Sequence, residues 1–129
     1  MNFLRLVVTL PALTLLFSNP VVASENWNLD EIYPTDAAWE VALLEVQQHL
    51  SNIQELEDKE ITNSKELLSV LNHVRDARGG AGKLAKVGLL QHFTDTSNQT
   101  FIVRKEQSEF LESQVEGSVA FMRDFIMSL

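Results

Sequence analysis

Three histidines, His49, His73 and His92, are the residues best suited by type to bind a metal ion or to move a proton. Two imidazoles that reach one zinc ion from a single helix stand four residues apart, because that spacing puts them on the same helical face. These three are too far apart in sequence for this, and each falls in a different predicted helix. We interpret them as surface or boundary residues. A zinc site assembled from all three in space is the alternative.

A glycine-rich segment, Gly79-Gly80-Ala81-Gly82-Lys83, has some of the features of a phosphate-binding loop. The first glycine of that motif would have to stand at Ala77, and Leu84 occupies the place of the metal-binding serine or threonine. The segment also follows a predicted helix, whereas the motif follows a strand. We therefore predict a flexible loop between two helices here.

The segment 95–106 has the length of a calcium-binding loop, with an acid at each end. Thr100 stands at the sixth place, where the sharp turn of such a loop requires glycine. A helix N-terminus capped by Asp95 or Thr96 is the better interpretation. Asn98 also begins an Asn-Gln-Thr glycosylation sequon, which matters only in a eukaryotic host.

Composition limits the classes of function. The 129 residues carry a formal net charge of −8 and no cysteine. Phosphate contacts need clustered lysine and arginine, and this acidic chain has no such cluster, so we expect no nucleic-acid partner. Without cysteine the fold depends on its apolar core, and its length is that of one domain.

The first 23 residues have the features of a secretory signal peptide. Arg5 precedes an apolar run from Leu6 to Phe17, and Ala23 has the small side chain that signal peptidase requires before the cleaved bond to Ser24. The run is shorter than the roughly 20 residues of a membrane-spanning helix, although an uncleaved anchor is the alternative. We predict a signal peptide at 1–23, a helical region at 24–129 and a periplasmic or secreted location.

Apolar residues recur at intervals of three and four, which predicts an all-α fold, an antiparallel bundle or set of hairpins of about four helices. Residues 27–34 are expected to form an extended or single-turn lead-in that packs Trp27, Leu29, Ile32 and Tyr33 onto the body. The first helix should begin at Thr35 or Asp36 and end near Asp58. Its predicted apolar stripe is Trp39, Leu43, Val46, Leu50 and Ile53.

Three further helices complete the predicted bundle. The second should start at Asn63, with Glu66 completing a capping box, and run towards Arg78. The third should span residues 83–92, and the last should run from about Asn98 to the end of the chain. The apolar positions predicted for these helices are Leu67, Leu68, Leu71, Val74, Leu84, Val87, Leu89, Leu90, Leu111, Val115, Val119, Met122, Ile126 and Leu129.

The string Trp27-Asn28-Leu29-Asp30-Glu31-Ile32-Tyr33-Pro34-Thr35-Asp36-Ala37-Ala38-Trp39 resembles the opening of mature oligoendopeptidase F-like enzymes of the M3 family of zinc metallopeptidases. The order of the later segments is similar to the N-terminal helical region of that family. The resemblance implies a zinc endopeptidase that cleaves short peptides inside a helical cage, with a His-Glu-x-x-His motif far downstream. No such motif occurs in these 129 residues, so no catalytic residue or zinc ligand is assigned to this chain.

The resemblance implies a structural role, in which the chain forms part of the helical wall around the cavity of a longer peptidase. Tyr33, Trp39 and Trp27 are then packing anchors. The apolar face of the last helix, formed by Phe121, Phe125 and Leu129, would contact the remainder of the peptidase or a partner helix. A free-standing secreted helical module that binds another protein through this face is the alternative.

Overall fold

A computed structural model of the protein describes residues 28–128. The predicted signal peptide with its Ala23–Ser24 cleavage site, Trp27 and Leu129 lie outside the described residues. Within them the chain is all-helical, as predicted: helix α1 spans Asp36–Glu57, α2 spans Ser64–Thr94 and α3 spans Gln99–Ser128. A three-residue 3-10 helix, Leu29–Glu31, precedes α1 and forms the predicted single-turn lead-in.

Helix α1 follows its sequence prediction closely. Thr35 is the N-cap, and its hydroxyl accepts a hydrogen bond from the backbone N–H of Ala38 at 3.1 Å. This bond pairs one of the amide groups that have no partner within the first helical turn. The helix ends before Asp58, as expected. All five residues of the predicted stripe are buried: Trp39, Leu43, Val46, Leu50 and Ile53.

The start of α2 also confirms its prediction. Asn63 is the N-cap, and its side-chain oxygen accepts the backbone N–H of Glu66 at 2.9 Å. The Glu66 carboxylate reaches back to the backbone N–H of Thr62 at 3.0 Å. The reciprocal bond of a capping box is therefore present, displaced by one residue towards the N-terminus.

The prediction of a loop at the glycine-rich segment is wrong. Helix α2 runs through Gly79, Gly80 and Gly82 without a break, so three long helices replace the expected four. None of the described glycines has a positive φ, so none is required here for a turn. A β-carbon built on Gly80 would lie only 2.5 Å from Cγ2 of Val46. This glycine therefore permits α1 and α2 to approach closely, and the packing outweighs the low helix propensity of glycine.

The buried face of α2 differs from the predicted one in its first turns. Val70 is fully buried there, whereas Leu68 and Leu71 are exposed and Leu67 and Val74 are partly buried. Further along the helix the contact positions are small or aliphatic, and Leu84 and Val87 are buried as predicted. The buried residues of this part are Ala77, Ala81, Leu84, Ala85, Val87, Gly88 and Gln91.

Helix α3 is capped by Asn98, not by Asp95 or Thr96. The Asn98 side-chain oxygen accepts the backbone N–H groups of Thr100 at 3.0 Å and Phe101 at 3.3 Å. Asp95 instead accepts the backbone N–H of Ser97 and so stabilises the preceding turn. In the predicted α3 stripe, Leu111, Val115 and Met122 are buried and Val119 is partly buried, but Ile126 is 42% exposed. The buried residues of α3 are Arg104, Ser108, Leu111, Val115, Ser118 and Met122.

The three helices run up, down and up, with α2 between its neighbours. Most inter-helix contacts join α2 to α1 and to α3, and few join α1 directly to α3. The α2–α3 contact is fixed at one level by Arg78, whose Nε donates to Glu116 at 2.9 Å. The core occupies the space that the three helices share and includes Leu29 and Tyr33 from the lead-in, as predicted. Ile32, also expected there, is 38% exposed. Within the described residues, no helix is long and apolar enough to span a membrane.

Candidate functional site

The structure brings two of the three histidines together. Nδ1 of His49 on α1 lies 3.0 Å from Nδ1 of His73 on α2, and both side chains are partly buried. The sequence interpretation of all three as surface or boundary residues misses this pairing, because the two histidines are separated by 24 positions in the sequence. His92 takes no part, and its Nδ1 atom is buried without a hydrogen-bond partner among the described residues.

The histidine pair lies in a part of the bundle with few charges. Helix α1 carries no charged residue between Glu45 and Glu55. On α2 the Asp76 carboxylate lies close enough to both rings to interact with them electrostatically. Its pKa is held below the usual range chiefly by the hydrogen bond from Arg75, with a further lowering by the two histidines.

The remaining candidate sites from the sequence take structural roles. The glycine-rich segment lies inside α2 and offers no loop to cradle a phosphate. In the segment 95–106 the chain is helical from Gln99 onwards, so its later positions do not form a calcium loop. The pKa of Asp95 is lowered, first by the hydrogen bond from the Ser97 hydroxyl and then by the backbone N–H of Ser97. Among residues 28–128, no three His, Asp or Glu side chains converge as metal ligands would.

The two described packing anchors, Tyr33 and Trp39, contact each other at the end of the bundle where α1 and α3 begin. Their rings meet edge to face, with centroids 5.3 Å apart, and Trp39 is fully buried. The Lys83 ammonium lies over the Tyr33 ring at 5.3 Å. Burial raises the pKa of Tyr33 above its usual 10.0, and the negative charge of Glu45 raises it further. Both residues belong to the core cluster.

Arg104 completes this aromatic cluster and was not singled out from the sequence. Its guanidinium lies 5.0 Å from the Trp39 ring centre and donates to the Asp36 carboxylate. It also makes a long contact of 3.4 Å with Oε1 of Gln91. The Arg104 side chain is 10% exposed. Through these contacts it connects the start of α1, the end of α2 and the start of α3. Its position seven residues before Leu111, on the apolar stripe of α3, is the signal that could have identified it.

Two shallow depressions occur on the described surface. One, of about 360 Å³, lies beside Arg104 between the first turns of α1 and α3, and its lining includes Asp36, Glu40 and Gln107. The other, of about 300 Å³, lies where the α1–α2 connection meets α3. It is lined by Ile61, Thr62, Asn63, Ser64, Leu67 and Phe125. Phe125, predicted to belong to an apolar contact face, is thus half-buried against the start of α2, while Phe121 is 38% exposed.

Comparison with known proteins gives one distant relationship. The chain is 22% identical to Oligopeptidase PepF of Bacillus subtilis (strain 168) over 109 residues, which is 84% of this chain and 16% of the relative. The chain thus spans about one sixth of the length of the curated relative that it matches. No protein-family profile matches the sequence, and no solved structure matches it. The relationship supports a distant connection to oligopeptidases, in agreement with the peptidase part of the sequence resemblance.

Proposed function

We propose that this chain is a helical segment from the N-terminal region of an exported oligoendopeptidase F-like zinc metallopeptidase of the M3 family. The observation that carries the proposal is the similarity to Oligopeptidase PepF, which extends over 84% of the chain but a small part of the relative. The string at residues 27–39 supports the same family from the residues themselves. Hydrolysis of short peptides is the proposed activity of the whole peptidase.

The proposed role of this segment is structural. It forms part of the helical wall that limits access to the peptidase cavity, and its core holds that wall rigid through three long helices. Zinc and its ligands belong to the downstream part of the proposed enzyme. The reacting groups of peptide hydrolysis, a metal-bound water and a general base, are therefore supplied by residues outside this chain.

Exposed apolar side chains support the proposal that another part of the peptidase covers this segment. A contiguous group of large exposed apolar residues is typical of a surface that packs against another protein segment. On the half of the bundle where α2 begins and α3 ends, they include Leu68, Leu71, Phe121, Ile126 and Met127. The proposed contact face on α3 consists of Phe121 and Phe125, with Leu129 beyond the described residues.

The experiment that tests this function is sequencing of the genomic DNA downstream of the Leu129 codon. The proposal expects an in-frame continuation that encodes a His-Glu-x-x-His motif. An intact stop codon followed by an unrelated gene would contradict it. A quenched fluorescent peptide assay then compares the full-length protein with the 129-residue chain, and the proposal expects zinc-dependent cleavage from the former alone.

Export is a separate part of the proposal and has a separate test. The small residue at Ala23 and the apolar run before it support cleavage between Ala23 and Ser24. Mass spectrometry of the protein recovered from the periplasm or the medium should show a mature N-terminus at Ser24. Recovery of an intact Met1 in the cytoplasm would contradict export without affecting the peptidase relationship.

A free-standing secreted module that binds another protein is the second candidate. The observation that favours it is the depression next to Phe125, which offers an apolar recess between two helices at the surface. Such a recess is the type of feature that accepts an apolar side chain from a partner helix. This candidate predicts the stop codon that the first proposal excludes.

A further inference from the structure

The contact between His49 and His73 has the geometry of a hydrogen bond that shares one proton. The two Nδ1 atoms are 3.0 Å apart, and the ring centroids are 5.3 Å apart. The distance between the two ring centroids equals the distance between the two Nδ1 atoms plus one centroid-to-nitrogen distance for each ring. Both Nδ1 atoms therefore lie on the line between the centroids, and each nitrogen points at the other. The N–H of one ring donates a hydrogen bond of normal length to the Nδ1 lone pair of the other ring.

The same geometry disfavours a metal ion between the rings. A tetrahedral zinc ion would hold two imidazole nitrogens about 3.3–3.4 Å apart and would lie off the line between them, because each zinc–nitrogen bond is about 2.0–2.1 Å. Two ligands of one ion also direct their lone pairs at the ion and not at each other. The pair is therefore arranged for a proton.

We infer that the His49–His73 pair is a pH-sensitive latch between α1 and α2, closed while it holds one proton on the Nδ1···Nδ1 line and opened by a second. When both rings are protonated, two N–H donors face each other and neither nitrogen can accept. Two positive charges then lie within the same contact and repel. Imidazoles ordinarily change charge between about pH 5 and 8, so the latch responds in that interval.

The charged groups around the pair come from all three helices. On α2, Asp76 is paired with Arg75 at 2.9 Å, and both side chains are largely exposed. On α1, Glu45 stands four residues before His49, a spacing that places both side chains on the same helical face, and Glu55 stands six residues after it. On α3, Glu116 is bound to Arg78, the sequence from 117 to 122 carries no charge, and Arg123 and Asp124 follow. Asp76 is exposed and paired with Arg75, so it does not remove the conflict of two facing donors.

The latch lies in the half of the α1–α2 hairpin that is closed by the connection at 58–63. Gly80 against Val46 holds the two helices in close contact on the other side of the pair. A second proton is therefore expected to loosen the hairpin towards its connection and to leave the Trp39 end in place. This inference does not depend on the peptidase relationship, because it uses only contacts within the described bundle.

The test is a double-mutant cycle with His49→Ala, His73→Ala and both, read as thermal unfolding midpoints of the whole chain at about pH 8 and about pH 5. At the higher pH, loss of either partner should lower the midpoint by roughly 4–8 °C, and the second loss should add little. At the lower pH the coupling should vanish or reverse sign. His92→Ala is the matched control, since His92 lies outside the pair. A coupling that is absent at the higher pH or unchanged at the lower one would overturn the inference.

A second measurement keeps the inference testable if the variants fail to fold. Nitrogen-15 NMR of the histidine side chains in the wild-type chain should show one Nδ1–H tautomer within the pair and two separate protonation steps, with His92 titrating in one. Three identical single-step titrations would contradict the latch. A rise in the unfolding midpoint on addition of zinc chloride that is lost in His73→Ala would assign the pair to a metal instead.

Discussion

At the scale of single residues, Arg104 is the side chain on which the packing of three helices depends. A charged group that is nine-tenths buried is tolerated only where other groups replace its water. Arg104 obtains the Asp36 carboxylate, the face of Trp39 and the side chain of Gln91. Asp36 itself is 90% exposed, so solvent weakens the ion pair, and the cation–π contact with Trp39 carries correspondingly more of the interaction.

Replacement of Arg104 by lysine is predicted to lower the free energy of unfolding by about 1–3 kcal/mol. Lysine keeps the charge but lacks the guanidinium fork that reaches both Asp36 and Gln91. Urea denaturation measures the change. Arg123→Lys, at an exposed position of the same helix, is the control and should change stability by less than about 0.5 kcal/mol. Equal effects of the two variants would show that Arg104 acts only as a charge.

Glu66 gives a prediction for pH dependence. Its pKa is lowered, first by the backbone hydrogen bond from Thr62 and then by bonds involving Asn63 and the Thr62 hydroxyl. Because the folded state favours the ionised form, Glu66 contributes stability that is present above its usual pKa of 4.5 and is lost as pH falls through the lowered value. We expect the midpoint difference between wild type and Glu66→Ala to be constant from pH 7 to about 5 and to shrink below about 4. Glu60→Ala, at an exposed acid in the preceding connection, is the control.

At the scale of the helices, the sequence predicted those boundaries that depend on local chemistry. Thr35 and Asn63 were identified as caps because a short polar side chain precedes an apolar stripe, and the α1 stripe was correct at every position. The break at Gly79-Gly80 was predicted on the same local grounds and was wrong. Helix propensity is a local preference, whereas the close approach of Val46 to Gly80 depends on a neighbouring helix. One sequence without its partner helix could not reveal it.

The same limit explains why the histidine pair and Arg104 were missed. His49 and His73 meet because α1 and α2 are antiparallel and in one particular register, and spacing along the chain does not record that register. The exposed Leu68 and Leu71 show a related limit, since three or four apolar residues in one turn of α2 allow several choices of buried face. Fixing the face at Val70 required knowledge of both neighbouring helices.

A pair of glycine variants tests the close approach of α1 and α2. Gly80→Ala should destabilise the protein by about 1–3 kcal/mol, because the new β-carbon would overlap the stiff, buried side chain of Val46. Gly79→Ala is the matched control, since nothing lies within 4 Å of its β-carbon position. It should stabilise the helix by up to about 1 kcal/mol through the better propensity of alanine. Thermal unfolding of both variants should give shifts of opposite sign, and shifts of the same sign would contradict the role assigned to Gly80.

At the scale of the whole molecule, large apolar side chains are exposed on both halves of the bundle, for example Phe93 near one end and Met127 near the other. Trp39, Tyr33 and Arg104 seal the end where α1 and α3 begin, with aromatic and charged contacts among themselves. At the opposite end, exposed Phe121 and Ile126 lie on α3, and Leu68 and Leu71 lie on the first turns of α2. If this segment packs against the remainder of a peptidase, the proposed contact uses the α3 face that carries Phe121 and Phe125.

Phe121→Asp is therefore predicted to weaken binding of this chain to the separately expressed remainder of the full-length protein by at least tenfold. A carboxylate buried in an apolar contact loses its hydration without gaining a partner, and a tenfold change corresponds to about 1.4 kcal/mol. Phe93→Asp is the control, because Phe93 is 67% exposed near the other end of the bundle and should leave binding unchanged. Pull-down of purified components and titration calorimetry measure the affinities, while circular dichroism checks that both variants stay folded. Equal loss of binding in both variants would place the contact elsewhere, and unchanged binding in both would remove Phe121 from it.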